Sequence, residues 1–138
     1  MTYAERLKIV DDYAKAIKKK YPQINRYNIL IFGSFLTERY SENSDIDIGV
    51  FSLESGLTFR LYNFTKDYFE QLEIDSDVIR MHLSDSQYLN ISIILSQQYA
   101  VTDYCPAELI SYTKRMLEQY GANPQAAIVR ELRREAAL

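Results

Sequence analysis

The chain reads as an α/β (α+β) protein, a sheet of about four strands flanked by helices. Three observations predict this. Two apolar runs of strand length lie close together, Tyr27-Asn28-Ile29-Leu30-Ile31-Phe32 and Ile46 to Phe51. The stretches on either side of them space their apolar residues three and four apart, the period of a helix with one buried face. A third run, Ile74 to Met81, follows the second of these helices.

The elements follow in order. Thr2-x-x-Glu5 forms a capping box for a first helix, whose stripe is Tyr3, Leu7, Val10, Ala14, Ile17 and Tyr21. Lys18, Lys19 and Lys20 suit the negative end of its dipole, and Pro22 stops it. After the two strands, Ser55-Gly56 is a break before a second helix, with Leu57, Leu61, Phe64, Tyr68 and Leu72 on one face. The strand Ile74 to Met81 carries Asp75 and Asp77. Ser84 or Asp85 can cap a third helix bearing Tyr88, Ile91 and Leu95. Tyr99-Ala100-Val101 reads as a short last strand. Pro106 suits the first turn of a fourth helix with Leu109, Tyr112, Met116 and Tyr120 inward, ended by Gly121. Residues 122–138 differ in composition, rich in alanine and arginine and without lysine. They read as a docked helix with Ile128, Val129 and Leu132, as a partner-binding or dimerising arm, or as a non-native tail.

Bulk properties narrow the function classes. At 138 residues the chain is most simply one domain. Its net charge of -3 gives no general electrostatic reason for a nucleic-acid partner. No apolar run is long enough to span a bilayer. Cys105 is the only cysteine and cannot form an internal disulfide, so the cytoplasm is the expected location. His82 is the only histidine and has no evident catalytic partner in sequence.

The chemistry concentrates between residues 33 and 47. Gly33-Ser34 ends the first apolar run, and after ten intervening residues Asp45-Ile46-Asp47 opens the second. Residues i and i+2 of a strand share a face, so Asp45 and Asp47 stand side by side. Two carboxylates about 4 Å apart repel by roughly 4 kcal/mol at an effective dielectric of about 20. A divalent cation relieves that repulsion, and Mg²⁺ accepts a few carboxylates while keeping places for water and phosphate. Gly33 lets backbone approach closely, and a short helix from Ser34 to about Tyr40 would offer free amides to a phosphate. Asp77 or Asp75 on the next strand supplies a third carboxylate. Taken separately, a Gly-Ser turn is usually only a turn, and Asp-x-Asp on an edge strand is usually only a solubility device. Their spacing and their buried-looking flanks favour a site.

Gly33-Ser34-x10-Asp45-x-Asp47, set between apolar strands, resembles the signature of the minimal nucleotidyltransferases of the DNA polymerase β-like superfamily. The likeness covers residues 1 to 104, and its specific part is 32 to 51 plus one later aspartate. It implies the nucleotidyltransferase fold, a mixed sheet of about four strands flanked by helices. Here residues 1–121 would form that domain and 122–138 an added C-terminal helical arm or tail. It implies a Mg²⁺-dependent enzyme that moves a nucleoside monophosphate from ATP to a hydroxyl. Gly33 and Ser34 would bind the nucleotide, and Asp45, Asp47 and Asp77 would bind two Mg²⁺ ions and carry catalysis. Val78-Ile79-Arg80-Met81 resembles the run after the family's third carboxylate, which favours Asp77 over Asp75. Leu36, Glu38 and Arg39 depart from the small residues and glycine that many relatives carry in the loop after Gly-Ser.

Within this resemblance, so bare a core points to an acceptor brought by another macromolecule. The expected partner is a small helical HEPN-type ribonuclease toxin, silenced by adenylylation of a tyrosine, with this chain as antitoxin. Two other readings stand beside it: an antitoxin that neutralises its partner by occlusion, and a dimeric nucleotidyltransferase acting on small molecules.

Overall fold

The computed structural model describes residues 1–84 and 88–120. The elements run α1 (Tyr3–Lys20), β1 (Tyr27–Phe32), β2 (Ile46–Ser52), α2 (Ser55–Gln71), β3 (Ser76–Arg80), α3 (Tyr88–Ser96), β4 (Tyr99–Ala100) and α4 (Ala107–Tyr120). The fold is α+β, with one mixed sheet in the order β3-β2-β1-β4. β1 is antiparallel to β2 and β4, whereas β2 is parallel to β3. β2 is thus a central strand, and Asp47 does not sit on an exposed sheet edge.

The chain divides into two compact units. The first holds Met1–Met81 and Gln97–Tyr104, which includes the whole sheet. Strand alternation turns Tyr27, Ile29 and Ile31 of β1 and Ile46, Ile48 and Val50 of β2 to one face. They pack there with Val10, Tyr13, Ala14 and Ile17 of α1 and Leu57, Leu61 and Phe69 of α2. The opposite face takes the intervening residues, Asp47 among them. In the second unit, Ile91 of α3 and Tyr112 and Met116 of α4 form a small buried cluster.

One half of the capping box of α1 forms, with Thr2 Oγ1 accepting from Glu5 N at 3.1 Å, while Glu5 Oε1 accepts from the Thr2 hydroxyl at 3.1 Å in place of the backbone N–H. Its buried stripe, however, is Arg6, Val10, Tyr13, Ala14 and Ile17, and Tyr3 is exposed. Tyr13 replaces the expected outer positions because its hydroxyl finds Thr65 Oγ1 at 2.6 Å in the interior, which removes the cost of burying it. The buried face of α2 also departs from the expected stripe, by one residue in the other direction. Thr58, Thr65 and Phe69 are buried, Phe64 and Tyr68 lie at the core margin and Leu72 is exposed. The expected break at Ser55-Gly56 is instead the first turn of α2.

β3 is shorter than the run Ile74 to Met81: Ser76 to Arg80 pair in register with β2, flanked by single bonds from Ile46 N to Asp75 O and from Met81 N to Val50 O. Ile74 and Asp75 precede it, after Glu73 turns the chain with φ 56°. α3 is described from Tyr88 onward; its expected cap at Ser84 or Asp85 involves the stretch 85–87, which, like Gly121 at the end of α4 and the segment 122–138, lies outside the described residues.

Candidate active site

β1 ends at Phe32, and Gly33 turns the chain with φ 77°, a left-handed value that glycine alone adopts freely. Phe32 pairs with Asp47 across β1 and β2, so the carboxylate of Asp47 arrives at the turn. A Cβ on Gly33 would fall on Asp47 Oδ2 and 2.9 Å from Asp47 Cγ. Two independent constraints therefore require glycine here. Gln98 holds the turn from the other side: its Nε2 donates to Gly33 O and its backbone N to Ile31 O, both at 2.8 Å.

Residues 34–40 do not form the expected helix. They make consecutive turns, with Thr37 N donating to Ser34 O at 3.0 Å and Tyr40 N to Thr37 O at 3.2 Å. Buried Phe35 and Leu36 anchor the loop in place of the small residues of a tighter one. The backbone N–H groups of Ser34, Phe35 and Leu36 have no acceptor among the described residues. Ser34 Oγ donates to Ser44 Oγ at 3.3 Å, and Ser41 N donates to the same oxygen at 2.9 Å. The two ends of the loop are thereby joined directly before Asp45.

Asp45 precedes β2, which starts at Ile46, and Asp47 lies within it. Asp77 of β3 is in register with Asp47 across the parallel pair, which puts both side chains on one face. Asp75 sits outside β3, where its carbonyl accepts from Ile46 N at 2.9 Å. Asp45 and Asp77 are exposed and Asp47 is half-buried. The Asp47 carboxyl is pushed up to about 6, first by its partial burial and then by the charges of Asp77 and Asp45; Asp75 is not among the causes. Sequence and fold thus bring Gly33, Ser34, Asp45, Asp47 and Asp77 to one end of one sheet face, with Asp75 at its margin.

Among the described residues, no group of three His, Cys, Asp or Glu side chains converges tightly enough to enclose a metal ion. The donor set is one of hard oxygens that repel each other, and Asp47 holds its negative charge reluctantly. That suits Mg²⁺, which usually takes only one or two protein carboxylates and leaves its other positions to water and phosphate.

Arg6 is part of this region although its position in α1 gives a charged residue no reason to be inward. Its Nη1 donates to Phe35 O at 2.6 Å and Thr37 O at 3.3 Å, and its guanidinium lies 4.1 Å from the Tyr40 ring centroid. The available signal was its spacing, since Arg6, Val10, Tyr13 and Ile17 recur every three or four residues.

The sequence model of the polymerase beta nucleotidyltransferases matches residues 13–101, more than half of the chain. The chain belongs to this nucleotidyltransferase family. The matched span runs from within α1 to the end of β4 and contains the Gly-Ser turn and all three site aspartates. Among solved structures, a crystal structure of a mutant of the toxin–antitoxin MntA-HpeT is similar at 15% identity and a TM-score of 0.48, covering 96% of this chain and 99% of that one. None of the curated proteins compared with this nucleotidyltransferase matches it. No helix among the described residues is long and apolar enough to cross a membrane.

Proposed function

We propose that this nucleotidyltransferase, with Mg²⁺, transfers AMP from ATP to a hydroxyl carried by a protein, the hydroxyl oxygen bonding to the α-phosphorus as pyrophosphate leaves, and that the acceptor is a tyrosine of a HEPN-type toxin for which the chain is the antitoxin. One observation carries the catalytic part. Asp47 lies against the Gly33 backbone while standing in register with Asp77, so the glycine turn and the carboxylates form a single site. The free amides of residues 34–36 and the Ser34 hydroxyl would receive phosphate oxygens. Asp45, Asp47 and Asp77 would hold Mg²⁺, which supplies charge neutralisation at the phosphates. Asp77 is also suited to take the acceptor proton, being exposed where a hydroxyl can arrive.

The exposure of Asp45 and Asp77 supports an acceptor presented on another macromolecule rather than one enclosed within this unit. The toxin identity and the choice of ATP rest on the resemblance to minimal nucleotidyltransferases. The exposed free thiol of Cys105 supports action in a reducing cytoplasm.

The test is transfer of label from ATP, with Mg²⁺, to the product of a neighbouring gene, compared with an Asp45→Ala/Asp47→Ala double variant. Label on a partner tyrosine that disappears with the variant supports the proposal. Neutralisation of the partner that survives in the variant, with no label transferred, would replace catalysis by occlusion. Transfer to a small hydroxylated molecule alone would remove the protein acceptor.

A further inference from the structure

We infer that Arg6 of α1 is a positioning residue for the triphosphate, holding the 34–40 loop open to it and setting an uncompensated positive charge beneath it. The inference rests on the nucleotidyltransferase reading above. Arg6 is 7% exposed, yet it takes part in none of the ion pairs among the described residues, which are Lys8–Asp12 and Arg26–Glu54. Its donors go to neutral carbonyls instead: Nη1 to Phe35 O and Thr37 O, and Nε to Thr2 O at 3.3 Å. The rings of Tyr40 and Tyr3 lie 4.1 and 5.7 Å from the guanidinium, which softens its burial without neutralising it. A buried charge ordinarily has an ionic partner.

The loop explains what such a partner would be. By drawing Phe35 O toward α1, Arg6 fixes the peptide plane whose other side carries the acceptor-free N–H of Leu36, next to the planes of Ser34 and Phe35 that Gln98 and Thr37 hold through Gly33 O and Ser34 O. Unsatisfied amides close to an uncompensated guanidinium favour an anion for the same reason, and the substrate of this family is a polyanion. Lysine could supply the charge but not the whole contact set, because a single ammonium lacks the separate Nε donor that reaches Thr2 O and the planar face that lies over Tyr40.

The test measures ATP binding by calorimetry, with and without Mg²⁺, beside AMP transfer kinetics, for wild type, Arg6→Lys and Arg6→Met. Tyr13→Phe serves as a matched control, since it weakens the core away from the loop. Arg6→Met is expected to weaken ATP binding about tenfold or more, the loss of a charge-assisted contact network. Arg6→Lys is expected to recover part of it, with KM raised and kcat held. If Arg6→Met lowers thermal stability as Tyr13→Phe does while ATP affinity stays at the wild-type value, Arg6 is only a core residue and the inference fails. Wild type that neither binds ATP nor transfers AMP is a different result, which removes the nucleotidyltransferase reading itself and this inference with it.

Discussion

The carboxylate of Asp47 lies against the backbone of Gly33, at the point where a side chain on residue 33 would stand. The contact ties the phosphate-loop candidate to the carboxylate cluster through one pair of residues. Gly33→Ala should therefore act twice. Its φ of 77° costs about 1–3 kcal/mol for an L-residue, and the new methyl must displace Asp47. The expected outcome is a lowered midpoint in chemical denaturation together with lost AMP transfer. An alanine variant that unfolds at the wild-type midpoint would show that the turn relaxes freely.

Asp47 should also set part of the pH dependence of stability. Its folded-state value, about 6, lies above the ordinary 3.8, so the folded chain holds the proton more tightly than the unfolded one. The resulting stabilisation is fully present below the unfolded value and is lost as pH rises through the folded one. Asp47→Asn removes this loss, so between about pH 4 and pH 7 its Tm advantage over wild type should grow. A constant difference across that range would contradict the assignment. Added Mg²⁺ should raise the Tm of wild type at neutral pH more than that of Asp47→Asn, because the cation offsets the same repulsion.

Asp77 and Asp75 are two residues apart, but only Asp77 lies in β3 and pairs with Asp47. Asp77→Asn should reduce kcat by roughly 10²–10⁴-fold, the range for loss of a proton-accepting group. Asp75→Asn should change it little, since the carbonyl that Ile46 N uses belongs to the backbone. Steady-state rates of AMP transfer decide it, and equal losses in the two variants would return Asp75 to the site.

Particular residues show how much of this was legible in the sequence. The strand Tyr27–Phe32 and the spacing from Gly33 to Asp47 were readable, because alternation, a glycine turn and paired carboxylates are local signals. The shortening of the third strand was not, since its length is set by the pairing of β3 with β2. Arg6 was hidden by its charge: two of the three carbonyls that accept from it, those of the loop, lie 29 and 31 residues away. The turns at 34–40 follow from Phe35 and Leu36 being needed in the core, which a pattern of turn and helix formers does not express.

Tyr13 and Thr65 provide a test of the packing between α1 and α2. Their hydroxyl oxygens are 2.6 Å apart, and both residues are 0% exposed. Tyr13→Phe leaves the Thr65 hydroxyl without a partner in the interior, at a cost of about 1–3 kcal/mol. Thr65→Val should cost a similar amount by stranding the tyrosine hydroxyl. In the double variant no polar group is left unsatisfied and the shapes are nearly kept, so most of both losses should be regained. Urea denaturation of the four proteins measures the coupling. Additive losses would mean that water reaches this pair, and the α1–α2 interface would then be less closed than the buried hydroxyls indicate.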